Sequence, residues 1–418
     1  MLINLDCINQ YESMSAYLSA TEAARRLGVS NATLYAYVSR GLVQSRPGTD
    51  HRRREYRAED IERLLRKRRA GSGPSQGAAQ SLSWGLPVLE TRISAIGPDG
   101  PHYRGQSALQ LADSGAGLEQ VACLLWDASG DSPFAAEPPG QWPSVVRALL
   151  DAPGRSPLAR TQAAMPLLEA GSSRHLSPAP GPRQAAAATL TRQTCALLLG
   201  RTPSAEPIHQ QLADAWRAGD QTLAEHLRVA LVLCADHELN ASSFTARVVA
   251  STGASLHAAV AAGLSALSGP LHGGATARAG ALIRAAQASH DVHAMVLARW
   301  QRGEPLPGFG HPLYPAGDPR GAMLVERLRH GATPHDGAPV WALLDAVEAI
   351  TGHKPSIDFG LAALMALYGQ APEMGLSLFA ASRVTGWLAH AIEQQVQGDR
   401  IRPRARYVGP NPQAATDH

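Results

Sequence analysis

From just beyond residue 104 to residue 398 the chain repeats one pattern, amphipathic or wholly apolar helical stretches broken by glycine and proline. No other feature constrains the fold as strongly. Alanine, leucine and valine carry the apolar load, and aromatic residues make up only 5% of the 418 positions. An apolar load rich in alanine and leucine favours helices packed closely on one another. The expected fold class is therefore mostly α. Ahead of the helices, Thr91–Ile96 reads as a short strand, and the GPDG turn at 97–100 leads into a second. Two Pro/Gly-rich interruptions, 129–143 and 171–184, read as surface loops.

Three further interruptions set an ionisable side chain beside glycine or proline. They are GPLHGG around His272, GFGHPLYPAGDPR around His311, and SIDFG around Asp358. Two histidines and a carboxylate suffice to remove a proton beside a carbonyl and stabilise the enolate. The glycines after His272 allow close approach of backbone and substrate. A helix expected to begin there would disfavour an imidazolium through its dipole. A neutral His272 could then donate a hydrogen bond without quenching an enolate. Taken singly, each residue also has a plainer reading: a buried histidine on a backbone carbonyl, a loop histidine closing a turn, an N-cap aspartate.

Residues 17–70 form a separate compact unit, preceded by an unpatterned extension, 1–16, with an internal Met14 as a candidate start of translation. Ser19 and Glu22 fit a capping box for a first helix with Ala23, Ala24 and Leu27 inward. Gly28 gives a tight turn, Ser30 caps a second helix from Asn31 to Arg40, and Leu34 and Val38 face inward. An arginine-rich loop, Arg46 to Arg57, precedes a third helix, Ala58 to Arg69. Residues 46–69 hold ten basic and five acidic side chains, +5 in a chain of net charge +3, so the remainder is near −2. Such a local patch fits a polyanion, or else a solvated helix face. Residues 71–85, rich in glycine, serine and glutamine, read as a flexible linker.

Cys7, Cys123, Cys195 and Cys234 are far apart, which supports neither a zinc site nor a disulfide framework. Cys123 and Cys234 lie in apolar runs and read as core thiols. No secretory signal and no run of about 20 apolar residues is apparent, so a soluble, cytoplasmic protein is expected.

The segments YLSATEAARRLGVSNATLYAYVSRGLV, RPGTDHRRREY and RAEDIERLL resemble a MerR/excisionase-type winged helix–turn–helix. The resemblance implies Asn31, Thr33, Tyr35 and Tyr37 on or near a recognition helix, with Arg52, Arg53 and Arg54 meeting phosphates from the wing. A small module for dimerisation or docking is the alternative. Farther along, six segments occur in the order met in the citrate synthase family. They are ADHELNASSFT (235–245), GPLHGG, GFGHPLYPAGDPR, KPSIDFGLAALMALYG (354–369), FAASRVTGWLAH (379–390) and RIRPRARYVGP (400–410). The resemblance covers roughly 86–410. It implies a citrate synthase fold with a large domain, 86–273 with 370–418, and a small domain, 274–369.

The same resemblance implies the chemistry. Asp358 would take a methyl proton from acetyl-CoA as co-substrate, His272 would stabilise the enolate, and His311 would polarise the ketone of oxaloacetate. Arg320, Arg383 and Arg402, with His237, would surround the dicarboxylate, and Phe379 would pack beside Arg383. Arginine suits this task because its planar donors bind carboxylates two at a time. Arg402 would reach the other subunit's site, which implies a homodimer. No metal and no permanently bound cofactor are implied. The family usually has asparagine where Thr276 stands, often a basic residue at Pro312, and often asparagine at Ser356. These positions are expected near the coenzyme A path and not among the catalytic side chains. Two alternatives remain: a 2-methylcitrate synthase using propionyl-CoA, and a DNA-binding regulator with a citrate synthase-like sensor domain.

Overall fold

The computed structural model describes residues 17–27, 29, 31–39, 43–47, 54–58, 60–61, 89–138, 140–169, 179–331, 333–335, 337–405, 407 and 409. It divides into two compact units. One comprises Met1–Glu90 with Arg404–His418, and the other Thr91–Pro403. The expected extension 1–16 and linker 71–85 lie outside the described residues.

In the first unit, strand β1 (Tyr17–Ser19) leads directly into helix α1 (Ala20–Leu27), followed by α2 (Asn31–Ser39). Ser19 Oγ accepts a hydrogen bond from the Glu22 amide at 3.2 Å. The expected capping box is only half formed, because the Glu22 carboxylate turns to Arg25 and Arg26 at 2.7 and 2.9 Å. Strands β2 (Ser45–Pro47) and β3 (Arg54–Arg57) bound the arginine-rich stretch, so its two ends are strands and not loop. The antiparallel order is β1-β3-β2, with both Leu18 and Ser45 opposite Tyr56. Ala23, Ala24, Leu27, Leu34, Val43, Tyr56 and Ile61 make the core. Ala58, Asp60 and Ile61 are helical, while the rest of the expected third helix, Gly28 and Ser30 lie outside the described residues.

The second unit opens with a small antiparallel sheet, β4 (Ser94–Gly97), β5 (Gly100–Tyr103) and β6 (Gln106–Ser107). Helices follow: α3 (Ala108–Asp113), α4 (Leu118–Leu125), α5 (Ser144–Asp151), α6 (Pro157–Glu169) and α7 (Pro180–Leu199). Then come α8 (Ile208–Arg217), α9 (Gln221–Cys234), α10 (Ala241–Ala250) and α11 (Leu256–Leu267). The last are α12 (Gly274–Gln287), α13 (Val292–Gln301), α14 (Pro319–His330), α15 (Ala338–Thr351), α16 (Ile357–Leu367) and α17 (Glu373–Gln397). The second Pro/Gly-rich interruption ends sooner than expected, because Pro180 takes the first helical position of α7, where a missing N–H costs nothing.

The 25-residue α17 is the axis of the unit and packs on α7, α9, α10 and α11. Val384, Trp387, Leu388 and Ala391 recur at helical spacing and are all buried. Each fully buried large side chain contributes about 1.5–3 kcal/mol relative to exposure. Four helices pack together here: α12 packs on both α16 and α17, and α14 packs on α16. Cys234 is a core thiol as expected, whereas Cys123 is half-buried. Among the described residues no helix is long and apolar enough to cross a membrane.

Candidate active site

The loop holding His311 is clamped to the segment holding Asp358. Gly310 N–H donates to the Lys354 carbonyl at 2.9 Å, and Ser356 N–H to the Gly308 carbonyl at 2.8 Å. The loop needs its glycines. Gly308 and Gly310 have φ of 92° and 73°, and a Cβ on Gly308 would lie 3.0 Å from Ala279 and 3.1 Å from Phe359.

Behind the loop stands a buried ion pair. Asp318 caps α14, accepting from the Arg320 amide at 3.1 Å, and its two carboxylate oxygens receive Arg320 Nε and Nη2 at 2.9 Å each. Asp318 also accepts from the Ile357 amide at 3.0 Å, which ties the start of α16 to that of α14. Burial opposes the Asp318 charge, but Arg320 outweighs it and holds the carboxyl below its ordinary range. The Arg320 guanidinium lies 5.5 Å from the Tyr314 ring centroid. Tyr314 Oη is 2.8 Å from His237 Nε2, and the His237 and His311 rings are 5.6 Å apart. Burial and the cations Arg320 and Arg383 drive His237 well below the usual imidazole range. Burial and Arg320 lower His311 as well.

His237 sits in a braced turn. Glu238 has φ of 55°, and its amide donates to Asp236 at 3.0 Å. Asp236 receives the Ser94 hydroxyl and lies 3.3 Å from His390 Nε2, both side chains being fully buried.

A second chain of contacts carries the remaining groups. Arg383 is buried, donates from Nε to the Cys234 carbonyl at 2.7 Å, and lies 4.5 Å from the Phe379 ring centroid. Phe379 meets the His272 ring edge-on at 6.4 Å. His272 Nε2 is 2.8 Å from the Ser242 hydroxyl. The imidazole is lowered to about 4, by burial first and Arg383 second, so it is neutral near pH 7. A helix begins directly after His272, as expected, with Gly273 as N-cap and Gly274 as the first residue of α12.

Asp358 is the second residue of α16, inside the first turn, and Ser356 holds the N-cap position; the N-cap reading of Asp358 is thereby corrected. Its half-buried carboxylate accepts from Thr276 Oγ1 at 2.6 Å. Burial raises its affinity for the proton, against the opposing effects of Thr276 and Arg320. Thr276 therefore stands against the carboxylate itself, contrary to the expectation that the unusual positions lie away from the catalytic side chains.

Seven sequence-derived residues thus fall into this set of contacts: His237, His272, His311, Arg320, Asp358, Phe379 and Arg383. Arg402 is exposed and makes no hydrogen bond or ion pair with them among the described residues. In the first unit, Asn31, Thr33, Tyr35 and Tyr37 all lie on α2, with Tyr35 54% exposed. Arg54 opens β3 and is exposed, while Arg52 and Arg53 lie outside the described residues. Sequence reasoning missed Thr276, Tyr314, Ser242, Asp318 and the Asp236–His390 pair as members of the site. Asp318 carried a legible signal, an aspartate followed by a proline at a helix start. The others carried none, because their partners are 30 to 154 residues away in sequence.

A family model described as the citrate synthase C-terminal domain matches residues 81–404, and one described as a MerR HTH family regulatory protein matches 18–70. A 2-methylcitrate synthase of Shewanella oneidensis is 36% identical over 220 residues, 52% of this chain and 54% of that protein. Citrate synthase 2 of Bacillus subtilis is 37% identical over 194 residues, 45% of this chain and 52% of that protein. The matched stretch spans about half the length of these relatives. The ternary complex of carboxymethyl coenzyme A and oxaloacetate with citrate synthase from Thermoplasma acidophilum superposes with a TM-score of 0.63 at 24% identity. It covers 79% of this chain and 96% of that one. That likeness establishes the citrate synthase fold.

Proposed function

The chain belongs to the citrate synthase family, and we propose that it condenses acetyl-CoA with oxaloacetate to give citrate and CoA, the first reaction of the tricarboxylic acid cycle. One observation carries the reading. A carboxylate whose proton affinity is raised and an imidazole lowered to about 4 sit in one helical unit with two buried arginines. The raised carboxyl is suited to accept a proton, and the lowered imidazole, neutral near pH 7, to donate a hydrogen bond to an oxyanion.

In this mechanism Asp358 takes a proton from the methyl carbon of acetyl-CoA; the C–H electron pair forms the C=C bond of the enolate, and the carbonyl π pair moves onto the thioester oxygen. Neutral His272 donates a hydrogen bond to that oxygen. The enol carbon attacks the ketone carbon of oxaloacetate, polarised by His311, and water then cleaves citryl-CoA. His237, Arg320 and Arg383 hold the oxaloacetate carboxylates. Arg320 is already paired with Asp318, so Arg383, bound to a neutral carbonyl, brings the less compensated charge.

We further assign Arg402 to the partner's site in a homodimer, which fits its exposure here. Residues 274–369 form the small domain that closes over substrate and excludes water. The protein is placed in the cytoplasm. The matched MerR model and the exposed Tyr35 on α2 support DNA binding through residues 17–70. That would make the protein a regulator if catalysis is absent.

The similarity to a 2-methylcitrate synthase favours propionyl-CoA as the competing acyl donor. One methyl group gives only ~1–3 kcal/mol of discrimination. Thiol release by the purified full chain, with kcat/KM compared for acetyl-CoA and propionyl-CoA, chooses between the donors. The enzymatic reading fails if neither thioester gives thiol in the presence of oxaloacetate. Loss of promoter-fragment retardation on deleting residues 1–70 tests DNA binding.

A further inference from the structure

We propose that Thr276 is the positioning residue for the Asp358 carboxylate, fixing Oδ1 through its hydroxyl so that Oδ2 is presented to the substrate. The inference rests on the reading of Asp358 as the base.

Its physical basis is the convergence of three helix starts. Thr276 is the third residue of α12, Asp358 the second of α16, and Gly375 the third of α17. Thr276 is 3% exposed, and its hydroxyl donates to Oδ1 at 2.6 Å, a charge-assisted geometry. Its methyl group is wedged against α17: a Cβ on Gly375 would lie 2.9 Å from Thr276 Cγ2. A β-branched side chain has little freedom at χ1, and this wedge removes what remains. With the methyl pinned on Gly375, the hydroxyl is committed to Asp358.

Thr276 is the hydrogen-bond partner of Asp358 among the described residues, so Oδ2 keeps its lone pairs for the incoming proton. The same bond is the largest influence opposing burial on this carboxyl, and it keeps the ionised form accessible. Family members usually carry asparagine at this place. Here a smaller, stiffer donor sits there, and its value lies in orientation.

The test uses the full chain with Thr276→Val, which keeps the shape and removes the donor, and Thr276→Ser, which keeps the donor and removes the wedge. For Thr276→Val, the acid limb of the kcat–pH profile should move to higher pH. Its kcat should fall about ten- to hundredfold with KM for oxaloacetate little changed, as expected for one hydrogen bond to a charged group. Thr276→Ser should return the limb to its wild-type position and recover part of kcat. If the valine variant does not fold, Thr276→Ala replaces it. A readout independent of turnover is the 13C titration of the Asp358 carboxyl, assigned by its absence in Asp358→Asn. Its midpoint should rise in Thr276→Val and stay at the wild-type value in Thr276→Ser. An unchanged midpoint in the valine variant overturns the proposal. Absence of thiol release from the wild type overturns the enzymatic reading instead, and the 13C titration still decides whether Thr276 holds the carboxylate.

Discussion

Asp318 and Asp358 both stand at helix N-terminal ends, Asp318 as the N-cap of α14 and Asp358 as the second residue of α16, yet their carboxyls are driven in opposite directions. Asp318 is the more buried of the two and is nonetheless held below its ordinary range. Asp358 is raised. The number and charge of the donors make the difference. Asp318 receives a bidentate guanidinium and two backbone amides. Asp358 receives one neutral hydroxyl. A helix terminus alone therefore does not set a carboxylate's task. A charge fully met by fixed donors becomes scaffold, and a charge left mostly unmet becomes a base.

The largest effect should come from breaking the scaffold. Asp318→Asn leaves the Arg320 guanidinium buried beside a neutral amide. It should cost about 3–5 kcal/mol in denaturant unfolding, as loss of one partner of a buried ion pair typically does. The pH dependence of that contribution has a definite sign. Because the folded-state pKa is lowered, the stabilisation is complete above the unfolded value, about 4, and is lost as pH falls through the folded value. Asp318→Asn should remove that part of the acid sensitivity.

Asp358→Asn should have the opposite sign and a smaller size. A raised folded-state pKa means that ionised Asp358 weakens the fold, increasingly so as pH rises from the unfolded to the folded value. At neutral pH the asparagine variant should melt at a higher temperature than wild type, and differential scanning calorimetry checks this. The smallest expected effect is at the other end of the site. Ser242→Ala removes the partner of His272 Nε2 and should lower kcat by about two- to tenfold, as for a neutral hydrogen bond of 0.5–1.5 kcal/mol. No histidine limb should appear near pH 6–7 for His272, because burial and Arg383 lower its imidazole to about 4.

The helical class was legible in the sequence from local pattern, whereas the winged module and most of the candidate site came from motifs that resemble known families. Ala23, Ala24, Leu27 and Leu34 lie buried where helical spacing places them. The residues around His272, His311 and Asp358 were legible as motifs. What decides their chemistry was not. The Thr276 hydroxyl reaches across 82 residues to Asp358, and His237 meets Tyr314 across 77. Such pairs leave no periodicity and exist only once the helices pack. The helix start after His272 was legible, but the burial and the Arg383 charge that lower its imidazole were not.

The central claim is that Asp358 is the base of a condensation between an acyl-CoA and oxaloacetate. Thiol release by wild type and Asp358→Asn, measured on protein shown to be folded by its melting curve, tests it most directly. Release in the wild type should require both substrates. A loss of about 10²–10⁴-fold is expected in the asparagine variant, the usual worth of a general base, without loss of stability. Comparable thiol release from the two proteins would contradict it.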